Sequence, residues 1–170
     1  MSLTTRSFAF GVLVASAAVL GTALLSQYWG GLRPCELCLL QRWPWGTAIV
    51  VSLLALAVGE RAALPRVGLV LAVVFAVSAA FAFYHVGVEQ HWFAGPSACT
   101  VSSGGATTLE EMKRQILGTA PVLCDKVQWS LFGVSLAGWN LLASLGMAAI
   151  CACVAARTRP RRRAATAAAA

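Results

Sequence analysis

Four of the six cysteines in this 170-residue chain fall into two pairs whose surroundings admit redox chemistry. Cys35 and Cys38 form a C-x-x-C followed closely by Gln41 and Arg42, while Cys99 and Cys124 bracket the one long polar stretch. Near a helix N-terminus a thiolate gains from the positive end of the dipole and from unpaired N–H groups. Cys38 and Arg42 are four apart and so share one face of a helix. A guanidinium does not lose its proton, so Arg42 can stabilise a thiolate or a reduced oxyanion without titrating. Glu36, between the two cysteines, opposes a thiolate. An arginine at the edge of hydrocarbon is costly unless it has a partner or a task. The combination points to thiol–disulfide chemistry coupled to something dissolved in a membrane.

Other readings of these residues stay open. Haem attachment needs a histidine after the C-x-x-C, and Leu39 stands there. Zinc held by Cys35, Cys38, Cys99 and Cys124 has a suitable ligand count, but the second pair is 25 residues apart, unlike the close pairs of structural sites. Two structural disulfides would also account for four cysteines. Arg42 could simply snorkel to an interface.

The elements that must position these groups are membrane spans. The chain is 59% hydrophobic and 11% charged, with a mean hydropathy of +0.76, against about 45–50% and about 25% in soluble domains. Apolar runs of about 20 residues cover Phe8 to Gln27, about Pro34 to Val58, Val67 to Val86, and about Trp129 to Ala156. The first run is longer than the apolar region of a cleaved signal and is expected to remain as a span. In the second, Pro34 suits a first helical turn, and Arg42 and Pro44 interrupt its start. Gly59 to Arg66 is a short polar connection. The expected fold class is therefore all-α: a four-helix transmembrane bundle over residues 1–156, with an outer loop at about 87–128. Residues 157–170 form a basic, then Ala-rich, tail expected to be disordered.

Charge sets the orientation. Arg6, Arg61, Arg66, Arg157, Arg159, Arg161, Arg162 and Arg163 lie on one face, against Arg33, Lys113, Arg114 and Lys126 on the other. Lys and Arg accumulate on the cytoplasmic side, so both termini are expected in the cytoplasm. All four paired cysteines then face an oxidising compartment, where disulfides persist. Trp29, Trp43, Trp45, Trp92 and Trp129 would form an aromatic belt at the outer interface. The net charge of +7 resides largely in the arginine tail, which argues against nucleic-acid binding. In the loop, Thr107 or Thr108 with Glu110 or Glu111 offers a capping box. Leu109, Met112, Ile116 and Leu117 follow on one face of a short amphipathic helix that lies on the lipid surface or on the bundle top. Cys151 and Cys153, at the other end of the fourth span, read as packing residues, and Asn140 as an interhelical hydrogen-bonding group.

The segment Pro34-Cys35-Glu36-Leu37-Cys38-Leu39-Leu40-Gln41-Arg42 resembles the signature of the DsbB family. The likeness continues in Tyr84-His85, Cys99, Cys124-Asp125, Trp129, Phe132-Gly133, Ser135 and Trp139-Asn140, and covers roughly residues 8 to 155. The resemblance implies a multi-pass protein of the bacterial inner membrane that reoxidises the periplasmic thioredoxin-fold dithiol oxidase DsbA. It also implies that the electrons pass to membrane quinone, either ubiquinone or menaquinone. Cys99 would be attacked by the reduced partner, Cys124 would be its disulfide partner and then engage Cys35, and Cys38 would be left as the thiolate facing quinone beside Arg42. His85 resembles a family histidine near the quinone. DsbA-type oxidants sit near about −120 mV and glutathione pools near about −200 mV or below, so electrons cannot pass from the first to the second without an uphill step of roughly 3.7 kcal/mol. An acceptor of higher potential in the membrane removes that step. The rivals are a quinone-linked thiol oxidoreductase resembling the vitamin K epoxide reductase family, and a non-enzymatic membrane protein held by disulfides or zinc.

Overall fold

The computed structural model describes residues 3–96, 108–110, 113 and 123–158. Its helices are α1 (Thr5–Tyr28), α2 (Glu36–Leu40), α3 (Arg42–Val58), α4 (Leu64–Glu89) and α5 (Leu136–Thr158). A single 3-10 turn, Gly59–Arg61, precedes α4, and a two-stranded hairpin, β1 (Ser130–Leu131) and β2 (Val134–Ser135), precedes α5. Counting α2 and α3 as one span, four stretches among the described residues are long and apolar enough to cross a membrane. The all-α, four-span expectation holds.

The boundaries differ from the sequence reading, each for a local reason. The second span begins at Glu36, with Cys35 rather than Pro34 at its cap, and Gln41 divides it into α2 and α3. Pro44 has no N–H, and its ring collides with the carbonyl four residues back, that of Leu40. The helix therefore ends at Leu40 and restarts at Arg42. The third span runs three residues beyond Val86, to Glu89. It stops in a Schellman motif: Trp92 N–H donates to Gly87 O at 2.7 Å and His91 N–H to Val88 O at 3.1 Å. His91 takes the left-handed position, with φ 59°. The absence of a side chain on Gly87 lets the Phe93 ring lie against α4, where it stacks on Tyr84 at 5.8 Å.

The fourth span starts at Leu136 instead of Trp129. Phe132 and Gly133 both have positive φ, 53° and 78°, as a two-residue hairpin turn of this twist demands, and the chain before Leu136 is spent on the ladder. At the other end α5 continues through Arg157, whose charge favours the negative end of the helix. The rest of the tail lies outside the described residues. So does most of the expected loop helix; within it, Leu109, Glu110 and Lys113 are helical, and Leu109 is exposed.

Packing within the bundle relies on small residues. Ala48, Ala55, Ala72, Ala79, Ala82, Ala137 and Ala155 are buried, whereas Val50, Leu54, Val73, Leu142 and Ile150 point outward, as lipid-facing residues do. Phe8, Val12, Trp45, Leu71, Phe75 and Cys151 form the central cluster, with Trp45 edge-on to Phe75 at 5.1 Å. Cys151 is thus a packing residue, as its position suggested, while Cys153 is exposed. Trp45 does not belong to an aromatic belt: it is 2% exposed, whereas Trp29, Trp43 and Trp92 are at 64% or more. Ser78 and Ser144 share a hydrogen bond of 2.8 Å between α4 and α5, a contact worth about 0.6 kcal/mol in a membrane.

At the opposite end from the thiols, Glu60 accepts from the Thr5 and Arg6 amides at 3.1 and 3.2 Å. Those amides, Arg6 first, hold its carboxyl below the usual carboxylate range. Gly59, with φ 66°, leaves space for the Arg6 guanidinium that a β-carbon would occupy.

At Gly68 α4 approaches α5 closely: a β-carbon there would lie 3.1 Å from Cys151 O and 3.2 Å from the Ala155 methyl. Gly68→Leu should therefore destabilise the bundle by about 1–3 kcal/mol, read as a lowered unfolding midpoint in detergent. An unchanged midpoint would show that α4 and α5 do not meet there.

Candidate functional site

The break at Gln41 shapes the site. Cys35 caps α2 in an extended conformation, and its Sγ accepts the Cys38 amide at 3.3 Å. The sulfurs of Cys35 and Cys38 are 3.0 Å apart and both are free thiols. His85 Nε2 lies 3.6 Å from Cys35 Sγ. The contacts able to support an anion therefore converge on Cys35, which is 3% exposed, and both cysteines line an adjoining cavity.

His85 is fixed from behind. Gln41 Nε2 meets His85 Nδ1 at 2.6 Å, Asn140 Nδ2 donates to Gln41 Oε1 at 2.5 Å, and Trp45 Nε1 donates to Asn140 Oδ1 at 2.8 Å. Asn140 thus bridges α5 to α3, the interhelical role expected for it. On the other side of His85, Glu89 Oε1 stands 3.9 Å from Nε2, and Ser135 Oγ donates to Glu89 Oε2 at 2.5 Å. The β-hairpin thereby reaches the site through Ser135.

The sequence reading missed Glu89, taken for part of the outer loop, and gave Gln41 no role beyond its place in the motif. One further turn on the third span would have placed Glu89 at i+4 from His85, on the same face.

The cavity, about 760 Å³, lies between α1, α3, α4 and α5. Ala18, Val19, Leu20 and Ala143 are among its apolar lining, and Cys38, Gln41, Arg42, His85, Glu89 and Asn140 among its polar lining. Few polar groups within an apolar enclosure of this size are what binding sites for organic molecules present. The Arg42 guanidinium donates to Gln27 Oε1 at 2.7 Å, which holds it in the cavity wall. Arg42 and Cys38 border the same space from the two sides of the break at Gln41.

Cys124 completes the arrangement. It is 1% exposed and packs in one buried cluster with Cys35, Leu37 and Val88, flanked by Cys38 and Tyr84. It is disulfide-bonded. Cys99 lies outside the described residues. The structure thus brings Cys35, Cys38, Arg42, His85 and Cys124 to one end of the bundle. Among the described residues, Cys35, Cys38 and His85 also form the one group of donors close enough to grip a metal ion, with their ligand atoms within 4.8 Å of one another.

The family described as disulfide bond formation protein DsbB matches residues 5–154, nearly the whole chain. The chain belongs to the DsbB family. A disulfide bond formation protein B of Marinobacter nauticus is 33% identical over 159 residues, which span 84% of this chain and 90% of that protein. The protein of the same name from Hahella chejuensis is 30% identical, over 94% of this chain and 98% of its own length. That of Stutzerimonas stutzeri is 30% identical, over 86% and 91%. No solved structure gives a significant match. Membership fits four apolar spans and a C-x-x-C whose Cys35 is buried: this is a multi-pass bacterial membrane protein of disulfide bond formation, a DsbB-type thiol oxidoreductase.

Adjacency of Cys124 to the C-x-x-C is directly testable. In a Cys38→Ser, Cys99→Ser protein, Cys35 and Cys124 should join on mild oxidation, and peptide mass spectrometry should recover the crosslink as the main disulfide. Recovery of both cysteines as free thiols would contradict the packing.

Proposed function

We propose that this DsbB-family protein oxidises a DsbA-like periplasmic dithiol partner and delivers the electrons to membrane quinone, ubiquinone or menaquinone. The observation that carries the proposal is the burial of Cys124 against Cys35, which together with Arg42 lines the cavity. Cys99 and Cys124 form the disulfide that meets the partner. A partner thiolate attacks Cys99 and forms a mixed disulfide, which frees Cys124. The Cys124 thiolate attacks Cys35 of an oxidised C-x-x-C, and the Cys38 sulfur leaves as a thiolate into the cavity. The partner's second thiol then resolves the mixed disulfide at Cys99, and Cys99 displaces Cys35 from Cys124. Two thiols of the partner have become a disulfide, and the electron pair rests on the Cys35–Cys38 dithiol. Its free sulfurs at 3.0 Å beside a bonded Cys124 correspond to that state.

A quinone supplies the acceptor for two electrons and two protons, which lets Cys35 and Cys38 return to a disulfide. The cavity suits such a molecule in volume and in its apolar lining residues, and the Arg42 guanidinium and the amides of Gln41 and Asn140 line it too. Arg42 would hold a carbonyl oxygen and favour its negative charge. His85, at 3.6 Å from Cys35, would donate to that sulfur and orient it. Orientation follows from the charge count: both termini in the cytoplasm, and the thiols on the periplasmic side.

Arg42→Ala should raise the apparent KM for quinone about tenfold or more, the value of a hydrogen bond to a charged group, while the mixed disulfide at Cys99 forms at an unchanged rate. Steady-state quinone reduction and a non-reducing gel measure the two. Unaltered quinone dependence would remove Arg42 from the proposal.

A further inference from the structure

We propose that Trp45, Asn140 and Gln41 are positioning residues that lock His85 into the tautomer carrying its proton on Nε2, so that this proton points at Cys35. The inference rests on the reading of Cys35 and Cys38 as the redox pair.

Direction in this chain of hydrogen bonds is set at its far end. An indole N–H donates and cannot accept. Trp45 Nε1 lies 2.8 Å from Asn140, so the Asn140 atom facing it must be the carbonyl oxygen. The Asn140 amide nitrogen then faces Gln41 and donates to its oxygen. Gln41 is left with its own amide nitrogen toward His85 Nδ1 at 2.6 Å. Two N–H groups cannot share that contact, so Nδ1 offers a lone pair and the ring proton of a neutral imidazole resides on Nε2. Nε2 is the nitrogen 3.6 Å from Cys35 Sγ and 3.9 Å from Glu89 Oε1. An anion on either side draws the same proton, so both ends of the relay agree.

Burial makes the direction matter. Trp45, Gln41 and His85 are 2%, 6% and 3% exposed and Asn140 is half-buried, so water is poorly placed to replace a mismatched partner at His85, and reversing one amide would oppose donor to donor. The relay joins α3, α5 and α4 before it reaches the thiol. It also keeps a lone pair on Nε2 away from Cys35 and Cys38, and so keeps those three groups from presenting a soft-metal ligand set.

The test replaces a donor without changing shape. In Asn140→Asp the side chain can only accept, from Trp45 and from Gln41 alike. Gln41 must then turn its nitrogen toward position 140 and its oxygen toward His85, and the imidazole proton moves to Nδ1. Gln41→Glu should produce the same switch by accepting from both neighbours, and it covers the case in which the first variant does not fold. The readout is the two-bond 1H–15N correlation of histidine-labelled, full-length, reduced protein in detergent at pH 9, with neither quinone nor partner. A His91→Asn background leaves His85 as the one labelled ring.

The expected result is an Nε2–H ring in the parent and an Nδ1–H ring in the folded variants, with iodoacetamide alkylation of Cys35 at fixed pH slowed about tenfold. A parent ring protonated at Nδ1, variants with an unswitched ring, or a switched ring with unchanged alkylation would each overturn the proposal. Trp45→Phe, a neutral change, should populate both tautomers; a single unaltered tautomer there would remove Trp45 from the relay. Because the measurement contains no quinone or partner, failure of the electron route in turnover assays leaves this result distinguishable.

Discussion

Polar groups at membrane depth must find their partners within the protein, and in this chain the requirement assembles the site. Trp45, Asn140, Gln41 and His85 come from three separate spans, and each satisfies the next. Removing any one of them would leave a buried donor or acceptor unpaired, at a cost of about 1–3 kcal/mol. The same hydrogen bonds that tie α3, α4 and α5 together at this end therefore hold the imidazole against Cys35. Stability and chemistry share one set of contacts.

A helix break makes the sharing possible. An unbroken second span would carry position 41 on a continuous ladder; Pro44 forbids it, and the chain turns at Gln41 between two helices. The five-residue α2 is too short to stand alone. It is held by Leu37, buried with Val88 and Cys124, and by the Cys35 sulfur accepting from its first turn. Cys124, the sulfur proposed to exchange with Cys35, is also part of the packing that fixes the C-x-x-C. A buried, prepositioned pair of sulfurs needs little rearrangement for exchange, and Arg42, at the first position of α3, is placed by the same break at the cavity wall.

Much of this was legible in the sequence. Four apolar runs, the two cysteine pairs and the Gln-Arg that follows the first were enough to indicate a thiol-active membrane bundle, and the family resemblance singled out His85. What escaped has physical causes. Trp129, Leu131 and Phe132 read as apolar helix, yet two residues at positive φ turn them into a hairpin; Phe132-Gly133 was the available signal. Glu89 sits among Gln90, His91 and Trp92 and reads as solvated loop, because the helix must run past Val86 to pair it with His85, and the tertiary contact with Ser135 then draws it inward. Trp45 resembled its interfacial neighbours by composition, and its packing against Phe75 and its hydrogen bond to Asn140 separate it from them. The order of donors along the relay depends on which spans are adjacent, a property no single span encodes.

The central claim is that electrons taken from a dithiol partner cross from Cys124 to the Cys35–Cys38 pair and leave through the cavity beside Arg42. Anaerobic stopped-flow with purified protein, reduced partner and quinone tests it most directly, with thiol loss and quinone absorbance followed together. The account predicts two partner thiols lost for each quinone reduced, and a Cys38→Ser protein that still captures the partner but reduces no quinone. Quinone reduction persisting in that variant, or partner oxidation without quinone loss, would contradict it.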